Sequence, residues 1–68
     1  MLFRVEFDQE EDGRWIADVV ELPGVMAYGA SREEALGKVE ELAFRVIADK
    51  LKHGEIKPGR FEIGPTAA

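Results

Sequence analysis

Three carboxylates, Asp8, Asp18 and Glu21, are the side chains best suited to chemistry, because they lie in or beside two predicted neighbouring strands. Carboxylates on adjacent strands can hold two metal ions for the hydrolysis of a phosphodiester bond, provided that they converge on metals about 4 Å apart. Nothing in the sequence fixes that convergence. A metal-dependent nuclease that uses these residues is therefore an alternative hypothesis, and not the favoured one.

The acidic run Glu10–Asp12 and the single histidine, His53, have simpler interpretations. A short charge run at a hairpin tip is usually solvated, and a hard cation needs several oxygens in a fixed arrangement. His53 precedes Gly54 at the predicted end of a helix, where a protonated side chain interacts favourably with the helix dipole. A catalytic base would also need a nucleophile and an orienting group. We predict no enzyme activity, no catalytic residue, no cofactor and no metal.

Composition narrows the possible partners of the chain. Its 68 residues carry a net charge of −5 and include no cysteine. A nucleic-acid binder needs cations to displace phosphate counterions, so we expect no direct DNA binding, whereas the negative charge favours a basic partner. A domain this small is often stabilised by oligomerisation. No apolar run approaches the roughly 20 residues that cross a bilayer, and residues 1–7 do not resemble a secretory signal. We expect a soluble, cytoplasmic protein.

Alternation of apolar and polar residues predicts strands at residues 2–8, 14–20 and 25–29. Asp12-Gly13 gives a hairpin signal between the first two strands, and Pro23-Gly24 suits a type II turn before the third. Strands joined by such tight turns predict a three-stranded antiparallel meander.

A helix of about 20 residues should follow, from a capping box at Ser31 and Glu34 to a stop at Gly54. Residues 60–63 predict a short fourth strand, and residues 64–68 a loose tail of the single domain 1–68. The main apolar stripe of the helix has the spacing of a core face. It consists of Ala35, Leu36, Val39, Leu42, Ala43, Val46 and Ile47. The fold class is α+β with the order β-β-β-α-β.

One helix can cover only one face of a sheet, so the other face should be open and partly apolar. The alternation leaves it undecided which residues of each strand face outward. Ile16, Val20 and Met26 are candidates for contact on the open face. Phe44 points away from the core stripe of the helix, with Ala48 and Leu51 near it. These six residues are our candidates for contact with a second chain, either another copy in a homodimer or homotetramer or a different partner, and the sequence leaves open which surface serves which contact.

Several short motifs occur here in a characteristic order: Gly13–Ala17, Glu21–Gly24, Gly29–Ser31 and Glu33–Ala35. In this order and spacing the chain, from residue 2 to about residue 50, resembles the N-terminal domain of HicB-type antitoxins and their stand-alone HicB-like relatives. The resemblance implies a partial ribonuclease H-like fold without its catalytic carboxylates. It also implies dimers or tetramers.

The same resemblance implies a partner, a small basic HicA-type toxin that cleaves messenger RNA and is neutralised when its active surface is covered. Val20 stands where the family often has proline. Many HicB antitoxins also carry a C-terminal DNA-binding segment, for which the residues after the last predicted strand leave no room. A stand-alone structural oligomer without a toxin is therefore a further alternative.

Overall fold

The computed structural model describes residues 1–65 and confirms the predicted α+β order. In this part of the chain, four strands and one helix form: β1 (Leu2–Gln9), β2 (Trp15–Val19), β3 (Met26–Gly29), α1 (Arg32–Lys52) and β4 (Glu62–Pro65). Residues 66–68 of the predicted tail lie outside the described residues.

The sheet has the strand order β3-β2-β1-β4. β1 pairs with β2, and β2 with β3, both antiparallel, which confirms the predicted meander. β4 lies parallel to β1 and places Gly64 beside Arg4 and Pro65 beside Val5. The assignment of residues 64 and 65 to a loose tail is therefore wrong. Proline is tolerated there because β4 is an edge strand, in which a backbone N–H that faces outward is not needed for pairing.

The two ends of α1 are capped by side chains and backbone close in sequence. At the start, Ser31 Oγ accepts a hydrogen bond from the Glu34 N–H at 3.0 Å, and Glu34 Oε1 accepts one from the Ala30 N–H at 3.0 Å. At the end, Gly54 adopts a φ of +69°, and the Glu55 N–H donates to the Lys50 carbonyl at 2.8 Å. This is a Schellman motif, in which a left-handed glycine satisfies the last helical carbonyls.

One face of α1 packs on one face of the sheet and forms the core. Four helix residues are buried there, and the sheet side is formed chiefly by β1 and β2. The buried set is Phe3, Val5, Ala17, Val19, Leu22, Val25, Ala35, Val39, Ala43 and Ile47. The predicted helix stripe is thus narrower than expected: Leu36 and Val46 are half buried, and Leu42 is 37% exposed. A single sheet touches only the centre of a helix surface, so the flanks of the stripe stay open.

Gly29, the last residue of β3, lies close against the backbone at the start of α1. A Cβ atom placed there would overlap the backbone nitrogen of Ala35 and lie 3.0 Å from its Cα. The obstacle is helix backbone, which cannot move aside as the end of a side chain can. Gly29 is therefore needed for its lack of a side chain, which lets the helix start immediately after the strand.

We expect Gly29→Ala to lower the free energy of unfolding by about 1–3 kcal/mol, the usual range for overpacking. Urea unfolding followed by circular dichroism measures the change. Gly37→Ala is the matched control, since that helical glycine has open space around it and the change should stabilise the protein by about 0.5–1 kcal/mol. Equal effects of the two substitutions would show that the contact with Ala35 does not matter.

Candidate protein-binding surface

The side of the sheet away from α1 is open, and strand register decides which residues it carries. Val5 pairs with Val19 and Phe7 with Ala17 on the covered side, so residues of the other parity face outward. This open sheet face consists of Leu2, Arg4, Glu6 and Asp8 from β1, Ile16, Asp18 and Val20 from β2 and its end, and Met26 and Tyr28 from β3. The register settles the parity that alternation alone leaves undecided.

The open sheet face carries several apolar side chains in contact with water. Met26 is 44% exposed and Tyr28 43%, and Leu2 and Val20 are exposed as well, while Ile16 is half buried. The three sheet candidates for contact, Ile16, Val20 and Met26, thus share this one face. Clustered apolar surface of this kind marks a site of interaction more often than single exposed residues do.

Carboxylates occupy the middle of the same face. Glu6 is the direct cross-strand partner of Asp18, and Asp8 lies two residues along β1. Cβ atoms of directly opposite residues are about 4.5–5.5 Å apart, and like charges in such pairs are destabilising. Within residues 1–65, none of the three carboxylates forms an ion pair. Asp8 Oδ1 accepts one hydrogen bond, from the Gln9 N–H at 2.9 Å.

Arg4, at one end of this face, already binds a carboxylate, that of Glu21. Arg4 donates from its backbone N–H to Glu21 Oε1 at 2.7 Å and from Nε to Oε2 at 2.6 Å. These bonds, the backbone bond first, hold the pKa of Glu21 below its usual value. The pKa of Arg4 is raised, chiefly by the side-chain hydrogen bond and charge of Glu21 and to a smaller extent by the charge of Glu6.

The other end of the face is arranged in the same way. Arg14 Nε lies 2.8 Å from Asp12 Oδ2, and the guanidinium stacks over the Tyr28 ring at 4.9 Å from its centroid. The Arg14 backbone N–H and then its side chain lower the pKa of Asp12 by hydrogen bonding to its carboxylate. Arg4 and Arg14 are thus each paired with a different carboxylate, that of Glu21 and that of Asp12.

The three carboxylates of the nuclease alternative do not meet at one point. Asp8 and Asp18 are diagonal neighbours on the open sheet face, whose separation in such a pair is about 7–8 Å. Glu21 is bound to Arg4, half of β1 away from Asp8. Within residues 1–65, the single group of three possible metal ligands is a different one, Asp49, His53 and Glu55.

That group lies at the C-terminal end of α1, where the Schellman motif folds Glu55 back beside the last turn. One ligand atom from each residue lies within 4.8 Å of the others, and all three side chains are exposed. His53 Nδ1 is 2.9 Å from the Asp49 carbonyl oxygen, and Lys50 Nζ is 3.8 Å from Glu55 Oε1. Sequence spacing does not predict this group, because Glu55 comes close to Asp49 and His53 only after the turn at Gly54. We assign no metal to it, since Lys50 already offsets the charge of Glu55.

The exposed side of α1 carries the other interface candidates. Phe44 is 51% exposed, and Ala48, one turn further on, is also exposed. Leu51, which the helical wheel places near them, is half buried and packs against the core. The helix patch therefore consists of Phe44 and Ala48, flanked by the ion pair of Glu41 and Arg45 at 2.7 Å.

An apolar groove of about 540 Å³ lies beneath the C-terminal half of α1, a second feature that sequence analysis missed. Leu42 and Val46 form its helix wall, and Leu22, Val25 and Ile56 lie opposite. The groove lies between the helix and the turn at residues 22–25. It explains why Leu42, part of the predicted stripe, is exposed.

Comparison with known proteins gives no match to any family model, curated protein or solved structure. The resemblance to HicB-type antitoxins therefore stays a prediction. No helix in residues 1–65 combines the length and the apolar character that crossing a membrane requires.

The bond between Arg4 and Glu21 makes stability depend on pH. A carboxyl group whose pKa is lower in the folded than in the unfolded state stabilises the fold above its unfolded pKa, which for Glu is about 4.3. This contribution is lost as pH falls through the folded pKa. We expect Glu21→Gln to be less stable than the wild type near neutral pH, and the difference to narrow as the solution is acidified. Urea unfolding at a series of pH values measures it.

The control is Glu10→Gln, because the Glu10 carboxylate has no hydrogen bond or ion pair within the described part of the chain. This variant should follow the wild type at every pH. A constant difference between Glu21→Gln and the wild type across the acid range would contradict the assignment.

Proposed function

We propose that this chain is a non-enzymatic, HicB-like binding protein of the antitoxin type. In this proposal it self-associates in the cytoplasm and neutralises a small basic HicA-type toxin, which cleaves messenger RNA, by covering the active surface of that toxin. The observation that carries the proposal is the open sheet face, where exposed apolar side chains lie beside carboxylates that form no ion pair in the described part of the chain. The motifs that resemble the HicB-type family support the same reading.

The chemistry of the open sheet face suits a partner that binds RNA. A ribonuclease presents cations to the phosphates of its substrate, and the carboxylates Glu6, Asp8 and Asp18 offer complementary charge to such a surface. The net charge of −5 would also speed the encounter with a basic protein. Inhibition by this route requires no catalysis, because a bound folded domain excludes RNA sterically.

The toxin partner is tested with the product of a short neighbouring gene that encodes a basic protein. We expect the two purified proteins to form a complex and the complex to leave RNA uncleaved, whereas the basic protein alone cleaves it. Incubation of this chain alone with RNA and Mg²⁺ or Mn²⁺ is the control and should give no cleavage.

Two results would replace the proposal. Cleavage by this chain alone that Asp18→Asn abolishes would establish the nuclease alternative. Failure to bind any such neighbouring product would leave a structural oligomer without a toxin.

Self-association is the second part of the proposal, and the helix patch supports it. Phe44 is an exposed aromatic residue in a domain with a small core, and domains of this size are often stabilised by assembly. We expect light scattering at micromolar concentration to give a mass of two or four chains. Phe44→Asp should lower that mass without unfolding the protein, because the side chain lies outside the core.

The control for Phe44→Asp is Arg45→Lys, which alters the neighbouring position but keeps a positive charge beside Glu41, and should leave the mass unchanged. A monomeric wild-type protein would refute self-association.

A further inference from the structure

We propose that the two candidate surfaces have different occupants: the open sheet face receives an arginine- or lysine-bearing segment of a partner protein, whereas the helix patch contacts a second copy of this chain. The inference deepens the proposed function, on which it rests for the existence of a protein partner. It adds which surface the partner occupies and which side chains of the partner are recognised.

Like charges lie close together at the centre of the open sheet face. Glu6 and Asp18 are opposite each other across β1 and β2, and Asp8 is a diagonal neighbour of Asp18. At cross-strand distances of about 5 Å the carboxylates repel each other. A single cation placed between Glu6 and Asp18 would interact with both and convert the repulsion into two attractive contacts.

Within residues 1–65, none of the cations near this position forms an ion pair with Glu6, Asp8 or Asp18. Arg4 and Arg14 flank the face, but their Nε atoms lie 2.6 Å from Glu21 and 2.8 Å from Asp12. Arg32 lines the same groove as the three carboxylates, but its guanidinium stacks over the Phe7 ring at 4.3 Å from the centroid and forms no ion pair within residues 1–65. Three carboxylates thus share the groove with one cation, and this excess of negative charge favours a further cation from another molecule.

The shape of the site suits a long basic side chain. A shallow groove of about 700 Å³ is lined by the three carboxylates together with Ile16 and Met26, and also by Phe7 and Arg32. Lysine and arginine bury their aliphatic stems on apolar surface while the charged end stays in polar surroundings. Ile16 and Met26 would support such a stem. Arginine fits best, because its planar guanidinium can bond carboxylates in pairs.

Symmetry and charge decide which of the two surfaces a second copy of this chain can contact. A two-fold symmetric contact places the same patch on both sides of the interface. Two open sheet faces would bring Glu6, Asp8 and Asp18 of one copy against the same acids of the other. The helix patch has no such conflict, because Glu41 and Arg45 beside Phe44 neutralise each other at 2.7 Å. Self-association through the helix leaves the sheet face free for the partner.

A short fluorescein-labelled peptide that alternates arginine with threonine is the probe, and its binding is followed by fluorescence anisotropy. We expect the wild type to bind it more weakly as salt is added, since salt screens exposed charges. The same peptide with citrulline, which keeps the shape of arginine without its charge, should not bind.

The decisive comparison uses two double variants that remove equal charge. Glu6→Gln with Asp18→Asn should weaken peptide binding about tenfold or more, as loss of close charge pairs does. Glu10→Gln with Glu11→Gln, in the exposed turn after β1, should change it less than about threefold, because those charges act only at long range. Thermal unfolding checks that both variants are folded, and the Glu6 and Asp18 variant should be at least as stable as the wild type.

Light scattering on the same proteins tests the division of surfaces. The mass of the assembly should be unchanged by Glu6→Gln with Asp18→Asn and by Met26→Asp, and lowered by Phe44→Asp. Equal weakening of peptide binding by both double variants would show attraction by net charge alone and overturn the inference. A change of mass on substitution of the sheet face would assign that face to a second copy and overturn it as well.

The outcome is separable from that of the proposed function. Peptide binding that depends on Glu6 and Asp18, without any toxin partner, would refute the antitoxin proposal and support the inference. Inhibition of a toxin that persists in Glu6→Gln with Asp18→Asn would support the antitoxin proposal and overturn the inference.

Discussion

Close packing of α1 on the sheet is the contact on which the rest of the structure depends. Ala17, Ala35 and Ala43 have no exposed surface where helix and sheet meet, and Gly29 lies directly under the backbone of Ala35. Small residues at these positions let Val5 and Val39 reach across the interface and be fully buried. A larger residue at any of them would lift the helix, and a core of this size has little other apolar area to compensate.

This packing also determines where function can lie. Among residues 1–65, no polar or charged side chain is buried, so the core holds no group that could be tuned for chemistry by desolvation. One helix covers one face of the sheet, and the opposite face keeps its apolar side chains in contact with water. The features that distinguish this chain from a plain small domain are therefore on its surface, namely the open sheet face and the helix patch at Phe44.

Local patterns predicted the elements well, and contacts between distant residues account for the differences. Alternation identified β1, and the capping box identified the start of α1, because both signals act within a few residues. The pairing of Pro65 with Val5, the Arg4–Glu21 bond and the groove beside Leu42 depend on how elements are placed in space. The outward face of β2 was undecided for a related reason: both of its faces are partly apolar, and only pairing with β1 selects one.

The central carboxylates of the open sheet face lie close together without an ion pair in residues 1–65. Arg4, Arg14, Lys38 and Arg45, by contrast, each have an acidic partner within 3.4 Å. Like charges directly opposite each other destabilise a sheet, so Glu6 opposite Asp18 weakens a domain that is already small. Local conflicts of this kind are expected at functional sites, where stability is given up for binding. A cation from another protein, placed between the two carboxylates, would offset this repulsion, and that is the physical ground of the contact proposed for the open sheet face.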